Sequence, residues 1–86
     1  MWTILYPAKN KTNSLTLPEN TRFYGQYINN AYLETLYIPK TTKIYSIDRL
    51  IEQRMFISLK KLYIQEGHSE TDYILKNSTI PDTAKY

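Results

Sequence analysis

The sequence predicts an α+β domain in which a small antiparallel sheet packs against one amphipathic helix and a shorter C-terminal helix. Three observations support this fold class. Residues 2–45 contain short runs of alternating apolar and polar residues that end at proline or asparagine turns. Residues 46–66 carry apolar side chains at three- and four-residue steps, and a second short helical pattern follows Gly67. We therefore expect four or five strands in residues 2–45 and a helix over about residues 46–66.

The first strands are predicted from alternation and from the prolines that end them. Residues 2–6 form a short apolar run that stops at Pro7, and residues 14–17 alternate until Pro18. Proline lacks the backbone N–H that a sheet ladder needs, so each proline marks a strand end. Residues 42–45 are expected to add one further strand.

The clearest local unit is a predicted β-hairpin over residues 21–38. Two runs rich in tyrosine and isoleucine flank Asn29 and Asn30, and asparagine tolerates the positive φ that a two-residue type I′ turn requires. In that register Phe23, Leu36 and Ile38 share the face expected to form the core. The opposite face is expected to be exposed and to bind a partner. Its residues are Arg22, Tyr24, Gln26, Thr35 and Tyr37.

The long helix is predicted to begin after Ser46, which can cap it, and to end at Gly67 in the left-handed conformation. Its main apolar stripe comprises Ile47, Leu50, Ile51, Met55, Leu59, Leu62 and Tyr63. Further apolar residues lie off this stripe, so the helix is either wedged between two layers or presents a docking surface. The candidate partner-binding residues of this outer face are Arg49, Gln53, Phe56, Ile57, Lys60 and Ile64.

The C-terminal part is predicted to hold a short helix over about residues 70–76, followed by a segment without periodicity. We therefore expect one domain over residues 1–77 and a flexible tail over residues 78–86. No internal repeat is evident in this interpretation.

The composition limits the classes of function. The chain has no cysteine, which excludes disulfides, thiolate metal sites and a cysteine nucleophile. It has only two glycines, which excludes glycine-rich phosphate loops. The single histidine, His68, is expected in a solvated loop near Glu66, Glu70 and Asp72, at a spacing that matches no closed metal motif. We predict no enzymatic activity, no metal site and no cofactor.

The amino-acid composition indicates the source of the protein, and its hydropathy indicates the location. Residue types with AT-rich codons, such as tyrosine, isoleucine and lysine, far outnumber those with GC-rich codons. This predicts a low-GC source, such as a bacterium, its phages or plasmids, or an archaeal virus. No run approaches the ~20 apolar residues of a membrane span, and no signal-peptide pattern is present. We expect a cytoplasmic protein without a membrane partner.

The leading hypothesis is a small non-enzymatic binding protein that docks onto a host or cognate protein as an inhibitor, adaptor or regulator. The composition fits a small protein that a phage or mobile element of a low-GC host encodes and directs at a host factor. An alternative is nucleic-acid binding, because tyrosines alternate with Arg22, Lys40 and Lys43, although a net charge of +3 is small for that role. A third hypothesis is a structural or self-assembling subunit that forms a homo-oligomer through the helix.

Overall fold

The chain folds as a stack of parallel coils. The computed structural model describes residues 13–24 and 33–86. Within them lie six strands and two helices. In chain order these are β1 (Ser14–Thr16), β2 (Arg22–Tyr24), β3 (Thr35–Ile38), β4 (Lys43–Tyr45), α1 (Ile47–Ile51), β5 (Lys61–Ile64), α2 (Thr71–Asn77) and β6 (Asp82–Lys85).

All strand pairs in the described residues are parallel. One sheet has the order β1-β3-β5-β6, and a second sheet pairs β2 with β4. Parallel neighbours require the chain to travel around and return to the same end, so each pairing closes one coil. Equivalent positions lie 21 residues apart between the first and second coils and 26 apart between the second and third. This arrangement is a solenoid, in which each coil contacts mainly its neighbours.

The core lies inside the coils and is filled by stacked aliphatic side chains. Each of two consecutive coils contributes a Leu-x-x-Leu-x-Ile run, and all six apolar side chains are at most 1% exposed. They are Leu33, Leu36, Ile38, Leu59, Leu62 and Ile64. This spacing is typical of leucine-rich solenoids, because two of the residues point inward from the strand and one from the preceding turn.

Three buried polar side chains form a column in the turns that come after β1, β3 and β5. Thr21, Thr42 and His68 occupy equivalent turns in successive coils and are each less than a tenth exposed. The hydroxyls of Thr21 and Thr42 both donate to the carbonyl of Pro18 at 2.7 Å. Because buried polar groups cost free energy unless they are bonded, this column fixes the stacking of the turns.

The predicted antiparallel hairpin is wrong. The proposed Asn29–Asn30 turn lies outside the described residues, but the two strands it was to join belong to different sheets. β2 pairs with β4, whereas β3 pairs with β1 and β5. Alternation of apolar and polar residues is the same in both kinds of sheet, so it predicts which side faces inward but not which strand is the neighbour.

The predicted long amphipathic helix is also wrong. Only Ile47–Ile51 are helical, and Lys61–Ile64 form β5. Ser46 does precede the helix, but its side chain makes no capping hydrogen bond. Gly67 has a positive φ of 99°, as expected, yet it lies in the turn after β5 and not at a helix end. Neither helix in the described part of the chain has the length and apolar character needed to cross a membrane.

The C-terminal residues differ in part from the prediction. The short helix is present as Thr71–Asn77. The segment expected to be a flexible tail instead contributes β6, which pairs with β5 along its whole length. The parallel pairing of β1 with β3 and of β3 with β5 at equivalent positions shows that the chain contains an internal structural repeat. The sequence interpretation, which found no repeat, was wrong on this point.

Candidate functional site

Three tyrosines form a cluster on the outward face of the four-stranded sheet. The rings of Tyr37 in β3 and Tyr63 in β5 stack with their centroids 5.1 Å apart. Tyr86 follows β6 and meets Tyr37 edge to face at 5.6 Å. Tyr86 is 49% exposed, and the other two rings are half-buried. We call Tyr37, Tyr63 and Tyr86 the tyrosine cluster.

The register of the parallel sheet creates this cluster. Thr16, Tyr37, Tyr63 and Ala84 are direct partners on adjacent strands, so their side chains form one row on the same face. Small side chains at both ends of the row leave the rings as its most prominent feature. The result is an aromatic surface, and aromatic residues are enriched at protein interfaces.

Burial and nearby groups raise the pKa of two phenols in the cluster. Partial burial raises the pKa of the Tyr63 phenol, and the charge of Asp82, which accepts its hydrogen bond at 3.3 Å, adds to the shift. Burial is also the main reason that the pKa of Tyr86 is raised, with a smaller contribution from Tyr37. Both phenols are therefore neutral hydrogen-bond donors across the physiological pH range.

The shift at Tyr63 predicts a specific alkaline titration. Asp82→Asn is expected to lower the pKa of Tyr63 only in part, because burial remains. Asp48→Asn is the matched control, since Asp48 accepts a hydrogen bond from Tyr73 at 2.7 Å and raises the pKa of that phenol instead. Ring resonances in NMR spectra across an alkaline titration measure each pKa. An equal response of Tyr63 to both substitutions would contradict the assignment.

The same shifts give the sign of the pH dependence of stability. A phenol whose pKa is higher in the folded than in the unfolded chain contributes stability that is complete below the ordinary tyrosine pKa of about 10. This contribution is lost as the pH rises through the raised folded-state value. Stability is therefore expected to fall on the alkaline side.

A second feature is a basic pocket at the turns beside β2 and β4. It has a volume of about 200 Å³ and is lined by Asn20, Thr21, Arg22, Thr41 and Lys43. The register pairs Arg22 with Lys43 and Tyr24 with Tyr45, and the two tyrosine rings stack at 4.6 Å. A wider groove of about 570 Å³ adjoins it and includes Lys40 and Glu70. We call the smaller cavity the basic pocket.

The structure divides the predicted hairpin face between these two features. Thr35 and Tyr37 lie on the outward face of the four-stranded sheet. Arg22 and Tyr24 lie on β2, in the other sheet. Gln26 lies outside the described residues. The residues proposed as one surface therefore do not form one surface, because β2 and β3 are not neighbours.

The predicted outer face of the helix is not one continuous surface, because some of its residues are buried and others are exposed. Phe56 is 1% exposed and stacks on Phe23, with the centroids 6.1 Å apart, and Ile64 is fully buried in β5. Ile57 is 80% exposed. The remaining members are solvent-facing Arg49, half-buried Gln53, whose side chain donates to the Leu59 carbonyl, and Lys60, which pairs with Glu34 at 3.9 Å. A helix over residues 46–66 was required to bring these side chains together, and it does not form.

His68 lies inside the fold and not in a solvated loop. Its exposed fraction is 7%. Nδ1 accepts a hydrogen bond from the backbone N–H of Glu70 at 3.0 Å, so Nε2 carries the proton that is donated to the Thr42 carbonyl at 2.8 Å. Both ring nitrogens are thus occupied by the backbone, which assigns His68 a structural role.

Sequence reasoning missed Tyr63 and Tyr86 as surface residues. Tyr63 was assigned to the apolar stripe of the long helix and Tyr86 to the tail. The signal that could have found Tyr63 is the repeat: residues 14–24 (SLTLPENTRFY) and 35–45 (TLYIPKTTKIY) align without a gap, and KLYI at residues 61–64 aligns with TLYI. Comparisons with protein-family models, curated proteins and solved structures give no match to this chain.

Proposed function

We propose that this chain is a non-enzymatic protein-binding module that docks onto another protein through the tyrosine cluster. The observation that carries the proposal is the row of aromatic rings on the outward face of a parallel sheet. Solenoids commonly use such extended surfaces for binding, and tyrosine is enriched among the residues that dominate binding energy.

The charges around the cluster favour a protein over a nucleic acid as the partner. Lys61 and Asp82 are direct partners on adjacent strands, and Lys85 pairs with Glu66 at 3.8 Å. Lys61 and Lys85, the lysines of β5 and β6, therefore each have a carboxylate close by. Nucleic-acid affinity depends on unbalanced cations that neutralise phosphates, whereas a mixed rim is usual around a protein interface.

The non-enzymatic part of the proposal is supported by the role of His68. It is the single histidine of the chain, and both of its ring nitrogens are bonded to the backbone. It is therefore not available as a general base in this arrangement. We include in the proposal a cytoplasmic location and a role as inhibitor, adaptor or regulator. A self-assembling subunit would use the same outward rings against a second copy.

Substitutions in the tyrosine cluster test the proposal. Tyr37→Ala combined with Tyr86→Ala is expected to weaken capture of the partner by about 30-fold or more, because interface hot spots contribute at least ~2 kcal/mol. Tyr73→Ala is the matched control, since Tyr73 is 44% exposed against 49% for Tyr86 but lies on α2. The partner is first captured with the wild-type protein and purified. Its dissociation constant for each variant is then measured by titration.

Two further measurements and the oligomeric state of each variant complete the experiment. Circular dichroism must show that all variants are folded, and capture is repeated after nuclease treatment. Equal binding by the wild type and the double variant would contradict the proposal. Loss of capture on nuclease treatment would favour a nucleic-acid partner. A wild-type protein that dimerises with rising concentration, while the double variant stays monomeric, would favour self-assembly.

A further inference from the structure

The parallel register places two cations side by side. Arg22 of β2 and Lys43 of β4 are direct partners, and adjacent strands lie about 4.8 Å apart. Like charges on directly paired residues repel each other. Neither side chain forms an ion pair with any residue in the described ranges, and no carboxylate is among the residues that line the basic pocket. The repulsion is therefore uncompensated within the described structure.

Arg22 also carries a buried donor without a partner. Its Nε is shielded from solvent and makes no hydrogen bond to any atom of residues 13–24 or 33–86. Buried polar groups in native proteins are almost always paired, so an orphaned donor needs an explanation. A ligand that draws the guanidinium toward the pocket, and so brings Nε within reach of an acceptor, is one such explanation, and it fits the neighbouring positive charge.

Other hydrogen-bond donors converge on the same cavity. The hydroxyl oxygen of Thr41 accepts from the backbone N–H of Asn20 at 3.0 Å, which leaves the hydroxyl proton of Thr41 free to donate. The side-chain amide of Asn20 is a further donor in the lining. The hydroxyl of Thr21, by contrast, is already committed to the Pro18 carbonyl. The basic pocket thus offers a guanidinium, an ammonium, an amide and a hydroxyl.

We propose that the basic pocket binds a phosphate group. Phosphate oxygens accept several hydrogen bonds at once, and the planar guanidinium of arginine matches them in bidentate geometry. The bound anion would accept from the guanidinium of Arg22 and offset the repulsion between Arg22 and Lys43. This site is built on the sheet of β2 and β4, so it goes beyond the proposed docking function of the tyrosine cluster and does not depend on it.

Titration with inorganic phosphate tests this site directly. Backbone amide resonances of the ¹⁵N-labelled full chain are followed as sodium phosphate is added, with sodium chloride at equal ionic strength as the reference. Saturable shifts are expected at residues 20–22 and 41–43 with phosphate only. Arg22→Gln and Lys43→Gln are each expected to raise the dissociation constant about tenfold or more, since each removes a charged hydrogen-bond partner. Lys61→Gln, an exposed lysine on β5, is the matched control and should bind as the wild type does.

A second arm distinguishes the source of the phosphate group. A short oligodeoxythymidylate supplies phosphodiesters in place of the free ion. Binding of either probe that depends on both Arg22 and Lys43 supports the site: a free phosphate or monoester if inorganic phosphate binds, and a nucleic-acid backbone if only the oligonucleotide does. If Arg22→Gln does not fold, the exposed Lys43→Gln variant decides the question. Shifts that chloride reproduces, or that persist in the Lys43→Gln variant, would overturn the proposal.

Discussion

Phe56→Ala is expected to lower the free energy of unfolding by about 3–5 kcal/mol, the usual cost of removing a buried phenyl ring. Phe56 is 1% exposed and stacks on Phe23, so truncation leaves a cavity between the segment after α1 and strand β2. Small domains have a total stability of only about 5–15 kcal/mol, so this single change removes a large share of it. Urea unfolding followed by circular dichroism measures the effect.

The adjacent residue provides a matched control. Ile57 is 80% exposed, and Ile57→Ala is expected to change the free energy of unfolding by no more than about 0.5 kcal/mol. A helix over residues 46–66 would have placed both residues on one outer face, with equally small effects for both substitutions. Equal effects would therefore count against the solenoid packing of this segment.

Alternation in the sequence was sufficient to predict which side chains of two strands face the core. Phe23, Leu36 and Ile38 are fully buried, as expected. The partners of those strands were not predictable from alternation, because side chains alternate with a period of two in parallel and antiparallel sheets alike. The Asn29–Asn30 pair suggested a hairpin, but a local turn signal does not report where the chain goes several residues later.

The long helix was predicted from spacing that the solenoid also produces. Leu59, Leu62 and Ile64 are separated by three and two residues, and the first of these steps is shared by helices and by the coils of this fold. The apolar residues of the observed helix, Ile47–Ile51, lie in step with those that follow the next turn, so the two sets together predict one long helix. The positive φ of Gln53, 61°, marks a break that residue type alone does not predict, since glutamine rarely adopts this conformation.

The repeat was present in the sequence but was obscured by conservative exchanges. Between residues 14–24 and 35–45, only Leu15, Pro18, Thr21 and Tyr24 recur as identical residues one coil later. In the third coil His68 replaces the buried threonine and fills the same position with a different hydrogen-bonding pattern. A search at a fixed period fails because equivalent positions lie 21 residues apart between the first two coils and 26 apart between the next two.

The candidate sites depend on this stacking. Tyr37 was predicted to be exposed, but its contacts with Tyr63 and Tyr86 require three strands from different coils. The pairing of Arg22 with Lys43 likewise arises because equivalent positions of a repeat become neighbours in a parallel sheet. Sequence reasoning therefore identified several of the residue types involved, and the repeat, once recognised, would have placed them together.

Removal of residues 82–86 is expected to destabilise the protein by roughly 2–4 kcal/mol and to cause self-association. Besides the ladder that pairs β6 with β5, three flanking backbone hydrogen bonds to the preceding coil are lost: Asp82 to Lys60, Tyr86 to Ile64, and Glu66 to Tyr86. Each contributes a net ~0.5–1.5 kcal/mol. The unpaired edge of β5 is then available to other chains, and such edges promote aggregation. Urea unfolding and sedimentation velocity at several concentrations measure the two effects.

Two full-length variants distinguish the contribution of the paired backbone of β6 from that of the side chains at its end. Tyr86→Ala keeps the backbone pairing and removes only the ring that contacts Tyr37, and Lys85→Ala removes only an exposed ion pair with Glu66, which is worth little. Both are expected to remain monomeric, with a smaller loss of stability than the truncated chain. A truncated chain with an unchanged unfolding midpoint and a single monomeric species would show that residues 82–86 behave as the loose tail that the sequence suggests. The solenoid predicts the opposite, because the polar edge strand β6 covers β5, and its removal would leave the more apolar β5 as the edge of the sheet that carries the tyrosine cluster.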